Sequence, residues 1–93
     1  MQGKESPEQK TDAQSTAGID VCKSWLDIHV TPQEQAVRVS NDARGHRKLI
    51  GWLAEYGVGL VVMEATGKWH RKIHAALHQA GFRVAVVNPR RAP

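Results

Sequence analysis

The chain has 93 residues, 41% of them hydrophobic, which is enough for one small core and too little for two domains. Lys and Arg number 13 against 9 Asp and Glu, and the net charge of +4 favours a polyanionic partner. The single cysteine, Cys22, excludes an internal disulfide, and no Cys–His spacing is typical of structural zinc, so we expect a reducing, cytoplasmic setting. The longest apolar run, residues 58–63, is far shorter than the ~20 residues that cross a bilayer, which argues against a membrane protein.

The N-terminal segment differs in composition from the rest of the chain. Residues 1–16 read MQGKESPEQKTDAQST and contain neither an aromatic side chain nor, after the initiator, a large aliphatic one. Such a segment cannot bury enough apolar area to offset the entropy cost of ordering it. We therefore predict a disordered leader over residues 1–16 and one folded domain over residues 17–93.

Apolar residues alternate with polar or small ones from Ala17 onward, which is the period of β-strands. Three strands are predicted, and they contain Ile19 and Val21, then Leu26, Ile28 and Val30, then Val37 and Val39. The first two strands separate near Lys23, and Pro32 lies in the turn before the third, where its missing N–H suits a turn better than a ladder. Short connections favour an antiparallel meander.

After Ser40 the spacing of the apolar residues changes from that of a strand to that of a helix. Asn41 or Asp42 can cap a first helix, which we predict over residues 43–56, and Gly57 offers a C-terminal stop.

A strand, a helix and a strand complete the chain. The continuous apolar run of residues 60–63 predicts a parallel strand buried on both faces. Trp69, Ile73 and Leu77 share one face of a second helix, and residues 82–87 form a fifth strand. The order β-β-β-α-β-α-β predicts an α/β layer with a mixed five-stranded sheet.

Two carboxylates stand out by their position. Asp20 lies inside an apolar strand, where a charge is costly unless it is compensated, and Glu64 ends the most hydrophobic run. If the two strands are neighbours, their spacing of roughly 4.8 Å lets both acids approach one Mg²⁺ ion at the carboxyl edge of the sheet. From the pattern alone the structural alternative is stronger: a strand-edge or turn-binding Asp, and a Glu in the first turn of the next helix.

Other acids and Cys22 carry weaker signals. Asp27 alternates with Trp25 and His29, which is typical of a solvated strand face, and Asp12 lies in the predicted leader. Cys22 is interpreted as a buried strand thiol rather than a nucleophile, because no base has a recognisable relation to it.

Three histidines recur every four residues along the second predicted helix. His70, His74 and His78 suggest a metal site, but no Cys or acid on that helix would complete one. We interpret them as a solvated or phosphate-facing stripe.

The chain beyond Glu64 contains six basic residues and no acid, and these are Lys68, Arg71, Lys72, Arg83, Arg90 and Arg91. Several of them follow the Thr66–Gly67 turn, where cations and backbone N–H groups would meet a phosphate. Trp69 can stack on a base, although its spacing from Ile73 favours a core position.

Three blocks of the sequence together carry a resemblance to a known family. They read GIDVCK from Gly18, VMEATG from Val62 and VVNPR from Val86. In this order and spacing they resemble the N-terminal part of the DEDD-type transposases of the insertion sequence 110 family, over residues 18–93. The resemblance implies a ribonuclease-H-like (RuvC-like) domain, in agreement with the predicted element order.

The resemblance also implies site residues and partners. Asp20 and Glu64 would be the first two acids of the DEDD set and would bind the catalytic metal ions, with Mg²⁺ as the natural choice. DNA, and in this family a structured guide RNA, would be the partners. The residues expected to meet nucleic acid are Lys23, Thr66, Lys68, Arg71, Lys72, Arg90 and Arg91.

The chain departs from the family pattern in three respects. The third and fourth acids and the serine-bearing C-terminal domain are absent, and Trp69 stands where a tyrosine is more usual. We therefore expect an N-terminal fragment of a transposase, with an incomplete domain and no cleavage activity alone. The alternative is a non-catalytic nucleic-acid-binding or regulatory module that associates with full-length transposase or with itself. A junction resolvase or sugar-kinase-like ATPase is a third possibility, disfavoured by the blocks at Glu64 and Asn88.

Overall fold

Five strands and two helices follow one another in the predicted order. The computed structural model describes residues 14–88. Its elements are β1 (Ser15–Val21), β2 (Trp25–Thr31), β3 (Gln35–Ser40), α1 (Ala43–Glu55), β4 (Val58–Glu64), α2 (Arg71–Gln79) and β5 (Arg83–Val87). The order β-β-β-α-β-α-β is therefore confirmed.

The first strand begins two residues before the predicted domain boundary. Ser15 and Thr16 belong to β1, because Thr16 pairs with Thr31 of β2 and the buried Ser15 hydroxyl donates to Gln33 Oε1 at 2.9 Å. Polar residues can thus extend a strand when neighbouring residues form hydrogen bonds with their polar groups. The rest of the predicted leader, residues 1–13, lies outside the described residues.

The sheet is mixed, with the strand order β3-β2-β1-β4-β5. β1 pairs antiparallel with β2, which pairs antiparallel with β3, and this is the predicted meander. On its other side β1 pairs parallel with β4, and β4 pairs parallel with β5 across the α2 crossover. The first strand therefore lies at the centre of the sheet.

Both helices pack on the same face of this sheet. Leu49 and Leu53 of α1, and Ile73 and Leu77 of α2, are fully buried in one cluster with the alternate residues of the strands, Ile19 among them. The helical and strand periods seen in the sequence thus converge on a single core.

The opposite face of the sheet, which we call the open face, carries Asp20 and Glu64, both exposed. Leu60 and Val62 of β4 also point to this face and are only half-buried. The prediction that β4 is buried on both faces is wrong for the described residues, because both helices lie on the side of Val61.

The first helix has the predicted ends. The Asp42 side chain accepts from the Gly45 N–H at 2.9 Å and caps α1, and Gly57 follows Tyr56 with a φ of 63°. A positive φ is readily adopted by glycine, and it turns the chain into β4.

The second helix begins later than its apolar pattern suggests. Trp69 precedes α2, in a turn where its N–H donates to the Thr66 carbonyl, and its side chain is 38% exposed. The expectation of a core position for Trp69 is therefore wrong: Ile73 and Leu77 alone provide the buried contacts of α2. Cys22 is likewise exposed rather than buried, because β1 ends at Val21.

Within residues 14–88, no helix is both long and apolar enough to cross a membrane.

His46 gives the stability of the fold a pH dependence. It is 6% exposed, and its burial holds the pKa of the imidazole below the usual 6.5, an effect that nearby Lys72 reinforces and Asp42 opposes. The unfolded chain then binds the proton more readily than the folded one. The contribution of His46 to the free energy of unfolding is fully present above the pKa that its imidazole has in the unfolded chain. It is lost as the pH falls through the lowered pKa that the imidazole has in the folded chain.

We expect the urea midpoint to fall between about pH 7.5 and about pH 5.5, and to fall less in His46→Gln, which does not titrate. His78→Gln changes an exposed histidine and is the matched control. Equal pH dependence in both variants would contradict this role for His46.

Candidate functional site

The parallel pairing of β1 with β4 brings two acids together. Ile19 lies opposite Met63, so the next residue on each strand, Asp20 and Glu64, stands on the open face at the carboxyl ends of the two strands. Adjacent strands are separated by about 4.8 Å. The two acids predicted from the sequence are therefore neighbours in the fold.

Both acids line one shallow groove of about 820 Å³ on the open face. Thr66, in the loop after β4, lines the same groove. Its hydroxyl is buried and has no hydrogen-bond partner among the described residues, whereas its backbone N–H donates to His70 Nδ1 at 3.1 Å. Carboxylates and a hydroxyl are hard oxygen donors, the type that binds divalent cations such as Mg²⁺ or Ca²⁺.

The acids do not complete a metal site by themselves. Across residues 14–88, no three side chains of Asp, Glu, His or Cys are grouped so that they could hold a metal ion. Asp20 and Glu64 thus fit part of a ligand set.

A further charged pair borders the groove. Arg38 on β3 donates to both carboxylate oxygens of Asp27, with Nε to Oδ1 at 2.7 Å and Nη2 to Oδ2 at 2.9 Å. This hydrogen bonding lowers the pKa of Asp27 below its ordinary value. The sequence placed Asp27 on a solvated face, which is correct, but its pairing with Arg38 depends on the register of β2 against β3.

Two predicted nucleic-acid-binding lysines meet at Trp69. Lys23, in the β1–β2 turn, places Nζ 5.6 Å from the centre of the Trp69 ring, and Lys68 places its Nζ 5.0 Å away. We call Lys23, Lys68 and Trp69 the Trp69 cluster. A cation over an exposed indole face is held by the negative face of the ring.

The Asn41 side chain fixes the loops that carry this cluster. Its Nδ2 donates to the carbonyls of Cys22 at 2.9 Å and Trp69 at 3.1 Å. Its Oδ1 therefore faces His46 Nε2 at 2.8 Å, which identifies Nε2 as the protonated nitrogen. One amide thus joins the β1–β2 turn, the β4–α2 loop and α1.

The other predicted basic residues are less tightly grouped. Arg71 and Lys72 are exposed in the first turn of α2, which contains no acid. Arg90, Arg91 and Asp12 lie outside the described residues.

The histidine stripe is only partly formed. His70 precedes α2 and binds the Thr66 N–H, whereas the rings of His74 and His78 lie 6.4 Å apart on the helix.

Comparison with protein families matches residues 17–93 to the DEDD transposases of insertion sequence 110, a family described as transposase. The chain belongs to this transposase family. No curated protein gives a significant match.

Among solved structures, the transposase chain is similar to T. thermophilus RuvC in complex with Holliday junction substrate, with a TM-score of 0.59 and 16% identity. The match covers 82% of this chain and 65% of the RuvC chain, so the chain spans slightly less than two thirds of its structural relative. The likeness confirms the ribonuclease-H-like, RuvC-like fold of the transposase domain.

Loss of the Asn41 amide should destabilise the transposase domain. Asn41→Ala leaves two carbonyls and the His46 N–H without their partner, so we expect a loss of about 1–3 kcal/mol in the free energy of unfolding. Urea denaturation measures it, with Gln79→Ala, an exposed change on α2, as a control expected within about 0.5 kcal/mol of the parent. Similar stability of the two variants would exclude this bridging role.

Proposed function

We propose that this chain supplies the first two catalytic acids, Asp20 and Glu64, of a metal-dependent centre that cuts and joins DNA in transposition. The observation that carries the proposal is the parallel pairing of β1 and β4, which brings both acids to one edge of the open face. Membership in a transposase family and the RuvC-like fold support the same chemistry.

Mg²⁺ is the proposed metal. Asp20, Glu64 and the Thr66 hydroxyl offer oxygen atoms only, which suits Mg²⁺ better than the softer metals that favour imidazole or thiolate. When bound in such sites, divalent ions polarise a phosphodiester and stabilise the charge on its leaving oxygen. The two carboxylates would hold the metal, and the Thr66 loop would form the adjoining wall of the groove.

DNA is the proposed partner at the edge of the sheet. Arg71 and Lys72 lie at the positive end of the α2 dipole, where cations are unfavourable unless an anion is nearby. The Trp69 cluster adds two ammonium groups beside an exposed indole, a combination suited to phosphates and an unstacked base. RuvC, a structural neighbour, is known in complex with a Holliday junction.

Further parts of the proposal extend beyond residues 14–88. Arg90 and Arg91 would add phosphate contacts, and a structured guide RNA would help to select sites. The leader predicted over residues 1–16 would be shortened to residues 1–14, because Ser15 and Thr16 belong to β1 of the domain. The single thiol is compatible with action in the cytoplasm.

We expect this chain to need additional acids before it cleaves DNA. Residues 65–93 contain no Asp or Glu. Two carboxylates fill only a few of the coordination positions of a hard divalent cation, and water occupies the others. Cleavage by the isolated chain that is lost on Asp20→Ala would contradict this expectation.

A second candidate function is a non-catalytic module that associates with full-length transposase or with itself. The observation in its favour is the edge strand β5, where Val86 is 39% exposed and Val87 42% exposed. An unpaired edge with apolar side chains can add a strand from another chain. Inhibition or stimulation of full-length transposase by this chain carrying both Asp20→Asn and Glu64→Gln would favour it.

Metal binding is the direct test of the acids. In ¹⁵N-labelled protein, Mn²⁺ should broaden the amide signals around Asp20 and Glu64 first, because paramagnetic relaxation falls steeply with distance. Asp20→Asn and Glu64→Gln should each raise the Mn²⁺ concentration needed for the same broadening by at least about tenfold, since each removes one of two charged ligands. Glu55→Gln changes an exposed acid at the end of α1 and should leave the broadening unchanged.

The same broadening in all three variants, or broadening centred on another region, would rule out this metal site. Mg²⁺ should compete with Mn²⁺ for it.

DNA binding should depend on the basic residues at the edge. We expect log Kd for a branched DNA to rise with log salt, and Lys68→Ala to reduce the slope by about one because it removes one phosphate contact. Lys48→Ala, an exposed lysine on α1, is the matched control. Fluorescence anisotropy measures the slopes, and equal slopes for Lys68→Ala, Lys48→Ala and the parent would contradict the proposed interface.

A further inference from the structure

Four charged residues form a row across four neighbouring strands of the open face. Asp27 on β2 lies directly opposite Arg38 on β3 and directly opposite Asp20 on β1. Glu64 on β4 continues the row, one residue beyond the Ile19–Met63 pair. Directly opposed residues point to the same face with Cβ atoms roughly 5 Å apart. We call Arg38, Asp27, Asp20 and Glu64 the charged row.

The charged row contains three carboxylates and one guanidinium. Like charges directly opposite each other on a sheet are destabilising. The guanidinium offsets one of them, because it binds both oxygens of Asp27 in the planar two-bond geometry that is available to arginine and not to lysine. Asp27 is thereby turned toward β3, although it lies directly opposite Asp20 as well as Arg38.

Arg38 is restrained from a second side. Its guanidinium carbon lies 4.6 Å from the centre of the Trp25 ring. The ring and the Asp27 carboxylate together limit the rotamers of a long side chain that would otherwise move freely in solvent. The contact between Arg38 and Asp27 is therefore a defined part of the groove, which both residues line together with Asp20 and Glu64.

We propose that Arg38 is a positioning residue that holds Asp27 away from the metal-binding acids, so that Asp20 and Glu64 alone face a cation from this sheet. This inference rests on the proposed metal site. It adds that the number of carboxylates at the site is set by an arginine two strands away.

The number of charged oxygen ligands controls both the affinity and the selectivity of such a site. A third carboxylate favours ions that accept many oxygen ligands, whereas Mg²⁺ keeps several waters and uses few carboxylates. Arg38 thus keeps the groove suited to a weakly held, hydrated ion. If Asp27 were released, the sheet would offer three carboxylates in one row and would bind divalent ions more tightly.

A double-mutant cycle tests this role on the full chain. We expect Arg38→Gln to lower the Kd for Mn²⁺ by roughly tenfold, because ligand charge count rises from two to three. Asp27→Asn should leave the Kd near the parent value, and the double variant should return to it. The free Mn²⁺ signal in electron paramagnetic resonance measures all four values, and circular dichroism confirms that each variant folds.

An unchanged or weaker affinity in Arg38→Gln, or a double variant as tight as Arg38→Gln, would overturn the inference. If Arg38→Gln does not fold, Arg38→Lys takes its place, with an expected gain of about threefold because lysine keeps the charge and loses the two-bond contact. An unchanged Kd in that variant would also count against the inference. If the parent chain binds no Mn²⁺ but Arg38→Gln does, the proposed metal site of the parent is refuted and the inference about Arg38 stands. If neither chain binds Mn²⁺, both the metal site and the inference are refuted.

The NMR signal of the Arg38 Nε–H gives an independent readout. It should stay unchanged during a Mg²⁺ titration, because Asp27 remains bound to Arg38 while the metal occupies the other acids. A shift toward the position seen in Asp27→Asn would mean that Asp27 leaves for the metal, contrary to the proposal.

Discussion

The register of β1 against β4 is the constraint on which the rest of the site depends. Asp20 and Glu64 reach the same edge because Ile19 is paired with Met63 in a parallel ladder. The side chains of Ile19 and Met63 are themselves buried beneath the helices. A slip of one residue would move one acid to the core face, since side chains alternate along a strand. The buried apolar residues that stabilise the sheet therefore also determine which carboxylates meet.

The helices cover one face of the sheet and leave the open face for the candidate site. Leu49, Leu53, Ile73 and Leu77 cover the first with a close-packed apolar layer, and the second carries the acids, the Asp27–Arg38 pair and the groove. A mixed sheet permits this division, because the antiparallel β2 and β3 extend the open face beyond the parallel strands. The proposed control of the charge at the site therefore acts from β2 and β3, which carry neither Asp20 nor Glu64.

Periodicity predicted the elements well because it is a local signal in the sequence. The resemblance to a transposase family predicts catalytic roles for Asp20 and Glu64, and the fold brings the two acids to adjacent strands. The errors arose where tertiary contacts decide. Trp69 has the spacing of a helical core residue, yet the turn that binds Thr66 and Asn41 holds it outside α2. The contact between Arg38 and Asp27, which lie 11 residues apart in the chain, is not predicted from the sequence because it depends on the pairing of β3 with β2.

The three side-chain hydrogen bonds of Asn41 have a consequence for ligand binding. The amide ties the backbone at Trp69 to the β1–β2 turn and to α1 within the folded chain. The conformational entropy of this loop is thus lost during folding rather than on association. A preorganised loop lets more of the contact free energy appear as affinity, so its binding partner would meet a surface already shaped for it.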